Sequence, residues 1–258
     1  MSPAPPIPTI NYSDSDNDNT IFTKNDWESA GSPKRFILGE GWTEIEDDTF
    51  RGTADLEEIH LPTSLITIGS YAFSETPNLE IVEFTEESNL TDIGYASFIG
   101  ATKLNTITIP SGVISINETF ANATNLENVL FKPDSSLKQI DKYAFYKTNI
   151  KKIYLPNDVN YIKNNAFGGI DSLTVHTTPN VLEKINESNR NLEGDSVQNI
   201  TFGNHTALFG ATNVTIKNVT MEVAQEGGRK LRTKTKKIYR KQKSRRRKPS
   251  KKTKNKRK

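Results

Sequence analysis

Ile68-Gly69-Ser70-Tyr71-Ala72-Phe73 and Ile93-Gly94-Tyr95-Ala96-Ser97-Phe98 are two copies of one phrase, and the spacing of such copies decides the fold. Aligned on the closing aromatic, Phe50, Phe73, Phe98, Phe120, Phe145 and Phe167 follow one another at steps of 23, 25, 22, 25 and 22 residues. An isoleucine precedes each ring by four or five residues: Ile45, Ile68, Ile93, Ile116, Ile140 and Ile162. A leucine or isoleucine follows it by five or six: Leu56, Leu79, Leu104, Leu126, Ile150 and Leu173. Self-similarity at a fixed short period marks a repeat architecture, which has to be recognised before any local reading.

Downstream of each ring come alternating pairs, Ile59/Leu61, Val82/Phe84, Ile107/Ile109, Val129/Phe131 and Ile153/Leu155, often closed by Pro62, Pro110, Pro133 or Pro156. Apolar residues at period two, ended by proline, predict a short strand. Each unit is therefore a strand, a turn and a short irregular or helical segment that carries the Phe inward. A unit of this size cannot bury its apolar face alone, so the units must stack with their strands parallel and their rings in an internal ladder. The steps alternate because residues 86–90 (Glu-Glu-Ser-Asn-Leu) and 133–137 (Pro-Asp-Ser-Ser-Leu) are longer than the matching 63–65 (Thr-Ser-Leu), and the extra residues should bulge on one edge.

The repeat frays at both ends. Phe36, Leu38 and Gly39 form a partial strand, read as the N-terminal cap. Thr178-Pro179 followed by Val181, Leu182 and Ile185 predicts a capped amphipathic helix with proline at its first position. Ile200 and Phe202 should resume a strand, and Val214, Ile216, Val219, Met221 and Val223 add one or two more. Residues 1–33 are dominated by Pro, Ser, Asp and Asn, too poor in apolar side chains to offset the entropy of ordering, and are expected to be disordered. The reading is three parts: a disordered segment over 1–33, a solenoid over 34–226 with its C-terminal cap from about 178, and a disordered basic tail over 227–258.

Composition narrows the chemistry. The 258 residues include no cysteine, which removes disulfides, thiolate metal sites and thiol nucleophiles together. The Pro-rich start has no cationic and apolar stretch of the secretory kind, and no run approaches the roughly 20 apolar residues of a membrane span, so an intracellular location is expected, nuclear where the basic tail acts as a targeting signal. The net charge of +3 conceals a segregation: residues 229–258 hold 19 Lys and Arg and no acid, leaving 15 bases against 31 acids upstream.

With the unit laid out, the sequence resembles the BspA-like leucine-rich repeats, whose pattern runs approximately I-G-x-x-A-F-x-x-C-x-x-L-x-x-I-x-I-P. Residues 68–73 and 93–98 are similar to its first half and Leu104 through Pro110 to its second, over about residues 36–178 in six copies. The family's frequent Cys is here Thr53, Thr76, Ala101, Ala123, Thr148 or Ile170. The resemblance implies an α/β leucine-rich-repeat solenoid with a short-stranded parallel sheet on its concave face, and a protein-binding rather than catalytic role. It also implies a competing role, a surface adhesin or host-interaction protein, known for bacterial members of the group.

On such a sheet the residues between the inward positions face a partner: Glu58 and His60, Ile81 and Glu83, Thr106 and Thr108, Asn128 and Leu130, Lys152 and Tyr154. Ile81, Leu130 and Tyr154 are the expected anchors, since an apolar group on a rigid sheet can hold a partner. A plain solvated face is the competing reading. The tail, with Arg245, Arg246, Arg247, Lys248, Lys251 and Lys252, suits polyanions through counterion release or serves as a nuclear targeting signal, with a nucleic acid or an import receptor as partner. Only Tyr239 offers it a stacking ring, which argues against base-specific recognition.

Other signals carry less. Asp14-x-Asp16-x-Asp18 opens like a calcium loop, but Asn19 replaces the turn glycine and Asn25 the closing glutamate. His60, His176 and His205 lack ligand spacing, and Gly39-x-Gly41 lacks the rest of a phosphate loop. Nine Asn-x-Ser/Thr sequons reflect an Asn- and Thr-rich composition. No paired carboxylates suggest a carbohydrate-active enzyme. The sequence thus predicts no cofactor, no metal site and no enzymatic activity.

Overall fold

The computed structural model describes residues 6–11, 20–190, 211 and 213–218. Within them the chain winds as a repeating coil, each turn contributing one long strand, one short strand and a turn-rich arm. The long strands are β1 (Thr9–Ile10), β3 (Arg35–Leu38), β5 (Glu58–Leu61), β7 (Ile81–Phe84), β9 (Thr106–Ile109), β11 (Asn128–Phe131), β13 (Lys152–Tyr154), β15 (Ser172–Thr177) and β16 (Asn213–Asn218). The short strands are β2 (Ile21–Phe22), β4 (Glu44–Ile45), β6 (Thr67–Ile68), β8 (Asp92–Ile93), β10 (Ser115–Ile116), β12 (Gln139–Ile140) and β14 (Tyr161–Ile162). Every pairing among them is parallel, as stacking of like units requires.

Register follows the repeat. Phe36 pairs with Ile59 and Ile59 with Val82; Ile107 pairs with Val129; Ile153 pairs with Val175 and Val175 with Ile216. On the short strands Phe22, Ile45, Ile68 and Ile93 align, as do Ile116, Ile140 and Ile162. The long-strand ladder breaks twice, between β7 and β9 and between β11 and β13. Those are the two junctions where residues 86–90 and 133–137 lengthen the coil, so the extra residues do alter one edge. There Lys132 reaches past a whole coil to donate to the carbonyl oxygens of Thr85, at 3.2 Å, and of Glu86.

The arm is not helical. Residues two before each ring (Asp48, Tyr71, Ala96, Glu118, Tyr143, Asn165) and two after it (Gly52, Glu75, Gly100, Asn122, Lys147, Gly169) all have positive φ. Two left-handed residues bracketing every Phe turn the backbone sideways, so that its N–H groups face the next coil. Tyr71, Phe73 and Glu75 donate to the carbonyls of Tyr95, Ser97 and Ile99 at 2.9, 2.7 and 2.7 Å, which makes the arm a third inter-coil ladder. Stacking here is tight. A Cβ on Gly94 would lie 2.5 Å from the backbone of Gly69 and Ser70, which explains glycine after the isoleucine in both copies of the motif.

The six rings are fully buried and stack in order, with successive centroids 4.9 to 5.6 Å apart. Burying each ring contributes roughly 1.5–3 kcal/mol. Small side chains fill the slot three residues past the ring: Ala101 and Ala123 are buried outright, and the hydroxyls of Thr76 and Thr148 donate to the carbonyls of Phe73 and Phe145 at 2.7 and 3.0 Å.

The N-terminal expectation is corrected. Residues 20–33, assigned above to a disordered segment, hold β2 and the helix α1 (Lys24–Ser29), and Thr9 and Ile10 pair with Ile37 and Leu38. Phe22 is wholly buried, 6.0 Å from Phe50 by centroid, and Trp27 packs edge-on against Phe50 at 5.6 Å. Few as these apolar residues are, the first coil offers a finished edge and an open core end, so ordering them covers what would otherwise be an exposed terminal unit. The cap is therefore this segment, and β3 belongs to a full coil. At the other end α2 (Pro179–Arg190) buries Val181, Leu182 and Ile185, with the Val181 N–H donating to the Thr178 hydroxyl at 3.3 Å, as the sequence predicts. Val214 and Ile216 stand on β16; Ile200, Phe202, Val219, Met221 and Val223 lie outside the described residues, as does the tail.

Candidate functional site

The outward face of the long strands carries two columns of side chains set by the register. Arg35, Glu58 and Ile81 align in one, followed by the Thr106–Asn128 pair and by Lys152, Thr174 and Thr215. Ile37, His60 and Glu83 align in the other, followed by the Thr108–Leu130 pair and by Tyr154, His176 and Lys217. All ten face residues read from the sequence therefore share one surface. Arg35, Ile37, Thr174, His176, Thr215 and Lys217 extend it and were missed, though each stands beside an apolar strand residue at the same offset as the others.

At the N-terminal end the face is closed upon itself by charge. Glu58 is 2% exposed and accepts from Arg35 through Nε at 2.6 Å and Nη2 at 2.5 Å. His60 bridges two carboxylates, Nε2 to Glu58 at 2.8 Å and Nδ1 to Glu83 at 3.1 Å. The hydrogen bond to Glu58, then that to Glu83, raises the His60 pKa to about 9, so the ring is a cation at neutral pH. Burial works to raise the Glu58 pKa, but the bonds from His60 and Arg35 outweigh it and leave the carboxyl below its ordinary value. Glu58, expected as an accessible contact, is instead the buried centre of an ion-pair cluster: a carboxylate this deep persists only where cations enclose it.

The middle of the face is mildly polar. Asn128 Nδ2 donates to the Thr106 hydroxyl at 3.3 Å, and Thr108 and Ile81 are half-buried. Leu130 is corrected as an anchor: at 5% exposure it has little surface left for a partner, because an apolar side chain in mid-sheet is enclosed by its flanking coils.

The C-terminal end is different. The Tyr154 and His176 rings stack with centroids 4.2 Å apart and planes 16° from parallel. Burial, then the ammonium groups of Lys217 and Lys152, holds the His176 pKa below its usual value, and its Nδ1 makes no hydrogen bond. Lys152 and Lys217 are exposed, and among the described residues neither has an acidic partner.

The arm presents a second polar surface. Arg51 lies over the Tyr71 ring at 5.0 Å, Tyr71 meets Tyr95 edge-on at 5.4 Å, and the Tyr95 hydroxyl donates to Glu118 at 2.6 Å, a bond that pushes the phenol up to about 12. These contacts link neighbouring coils and are accounted for by stacking.

Arg245, Arg246, Arg247, Lys248, Lys251 and Lys252 lie outside the described residues, as do Asp14, Asp16, Asp18 and His205. Among the described residues no group of three or more His, Asp or Glu is placed to hold a metal ion, and no helix is long and apolar enough to cross a membrane.

Compared with known families, the chain matches the BspA type leucine rich repeat region in six copies, over residues 20–134 and 117–214. No curated protein matches it. Among solved structures it is similar to a leucine rich cell surface protein from Faecalibacterium prausnitzii A2-165, at 25% identity over 52% of this chain and 42% of that one, with a TM-score of 0.41. It is also similar to a leucine rich repeat protein of T. pallidum, at 23% identity over 64% of this chain and 86% of that one, with a TM-score of 0.49. The chain thus spans less than half the length of the Faecalibacterium protein.

Proposed function

The chain belongs to the BspA-type leucine-rich repeat family, and from that premise we propose that it is a non-enzymatic protein-interaction module whose partner docks on the outward face of the long strands. One observation carries this reading: strand pairing holds two columns of side chains at fixed spacing on a surface whose interior is already filled by the Phe ladder. A rigid face lowers the ordering cost of association. Half-buried Ile81 and Tyr154 supply apolar contact there, with Lys152 and Glu83 exposed beside them. The test places a photo-crosslinking residue at Thr108 on this face and, as control, at Tyr143 on the arm of the full-length chain. Capture of a discrete partner from Thr108 and not from Tyr143 supports the proposal; equal capture, or none at Thr108, refutes it.

The polybasic tail, with Arg245, Arg246, Arg247, Lys248, Lys251 and Lys252, is proposed to bind polyanions without sequence selectivity or to direct the chain to a nucleus. Its support is compositional: 19 cations and no anion over residues 229–258. Displacing phosphate counterions gives binding that weakens steeply with salt. Deleting residues 229–258 should abolish salt-sensitive retention on DNA or RNA. Localising a tagged chain with and without those residues separates an intracellular role from the alternative, a surface adhesin.

A further inference from the structure

We propose that the C-terminal end of the outward long-strand face, where Lys152 and Lys217 flank the Tyr154–His176 stack, docks an extended acidic segment of a partner protein. The inference rests on the interaction role proposed above and names the chemistry of the partner and the part of the face it occupies.

The argument begins with a contrast between the two ends of one surface. At the N-terminal end, Arg35 and His60 are consumed by Glu58 and Glu83, so its cations and anions satisfy one another. At the C-terminal end the same columns carry Lys152 and Lys217 with no carboxylate among the described residues to answer them. The sequence is polarised in the same sense: residues 20–100 hold 16 acids and 4 bases, whereas residues 101–178 hold 6 acids and 8 bases. Residues 229–258 add cations only. Unpaired positive charge on a rigid face favours an anionic partner and steers its approach.

Geometry narrows the choice. Lys152 pairs with Thr174 and Thr174 with Thr215, while Lys217 lies two residues beyond Thr215. At ordinary strand spacing and rise, the two lysine Cα atoms are about 12 Å apart on a diagonal across three strands. An extended peptide repeats side chains on one side every ~6.8 Å, so carboxylates four residues apart, at about 13 Å, reach both ammonium groups. The His176 ring lies between them. Both lysines depress its protonation, and its Nδ1 is unused by the fold, so an anion that neutralises the lysines also favours an imidazolium. Thr174 and Thr215 add hydroxyls, and Tyr154 stacks on the far side of the ring. A single tyrosine–histidine stack offers no run of rings for successive bases, which favours a peptide over a nucleic acid.

The test follows the His176 ring by NMR in the full-length chain as a hexaglutamate peptide is added, with His176→Gln identifying its resonance. The expected result is a rise in the His176 titration midpoint of roughly one pH unit at saturating peptide. In the Lys152→Gln/Lys217→Gln double variant, the midpoint should not move from that protein's own peptide-free value. A midpoint that stays put in the unsubstituted chain overturns the proposal, as does a rise that survives the double substitution. A rise produced by oligothymidylate and not by hexaglutamate assigns the patch to nucleic acid and overturns it equally. A protein partner crosslinked at Thr108 whose affinity is indifferent to the double substitution sinks this inference alone; failure to crosslink any partner there sinks the broader reading as well.

Discussion

The rings of Phe73 and Phe98 lie 4.9 Å apart by centroid with planes within 3° of parallel. Parallel planes at that separation describe an offset stack, since carbon atoms in contact approach to about 3.5–4.0 Å, and offset is the arrangement the ring quadrupole favours. Phe98 makes the same contact on its other side, with Phe120 at 5.5 Å. Phe98→Ala should therefore cost about 3–5 kcal/mol in unfolding free energy by urea titration. Phe98→Leu keeps most of the volume and should cost roughly 1–2 kcal/mol. An alanine variant within about 1 kcal/mol of the parent would show that the ladder is not the core it is taken to be.

The His60 cluster makes stability depend on pH with a definite sign. Its folded pKa of about 9 lies above the unfolded value near 6.5, so its contribution is complete below about pH 6.5 and is lost as pH rises through 9. The loss is on the order of 3 kcal/mol. His60→Gln should be less stable than the parent at pH 6 and should lose little more between pH 6.5 and 9.5. Glu58 acts in the opposite direction. Its pKa is lowered, so its share is present above the ordinary carboxylate range and disappears as pH falls through the folded value. Guanidinium midpoints across both windows check the two signs, and parallel pH profiles for parent and variant would remove His60 as the cause.

Two glycine substitutions separate backbone conformation from crowding. Gly52 has φ +69° and open space where a Cβ would go, so Gly52→Ala should cost only the left-handed penalty, about 1–2 kcal/mol. Gly94→Ala drives a methyl into the backbone of the preceding coil and should exceed that, at more than about 2 kcal/mol. Thermal unfolding of both variants gives the comparison, and a reversed order would contradict the stacking described.

Trp27, 5% exposed, should behave as a core residue despite its Asp- and Asn-rich neighbourhood. Trp27→Ala is expected to cost about 3–5 kcal/mol. Removing residues 1–33 should do more, because it uncovers Phe36 and Phe50 and a strand edge. Light scattering should then report association of the shortened chain, and a monodisperse product of unchanged stability would argue against the cap.

Much of this molecule is legible in the sequence because one constraint acts six times. Ile45, Phe50, Leu56 and Ile59 recur in every coil, so a single misread position is outvoted by its equivalents. Legibility fails where the repeat thins. Phe22 takes the place of the usual isoleucine in its column, and Trp27, 23 residues before Phe50, takes the place of the usual phenylalanine, so an alignment on Ile and Phe passes over both and composition marks their segment as unfolded. The face itself was readable by alternation, since residues between inward positions must point outward. What alternation cannot convey is the company each keeps. Glu58 and Lys152 hold equivalent places in one column, yet the first is enclosed by Arg35 and His60 and the second is bare. Leu130 is enclosed for the same kind of reason, a matter of flanking coils and not of its own strand.

The bond from Lys132 to Thr85 spans 47 residues, and Phe73, Phe120 and Phe167 are separated by that same interval. A long turn and a short turn together make the module that is copied, with the lysine tying each end of one such pair. Duplication or excision of a single turn would set two long loops or two short ones side by side, and the lysine would meet the wrong carbonyls. Lengthening the molecule in register, by evolution or by an engineer, therefore proceeds by doublets.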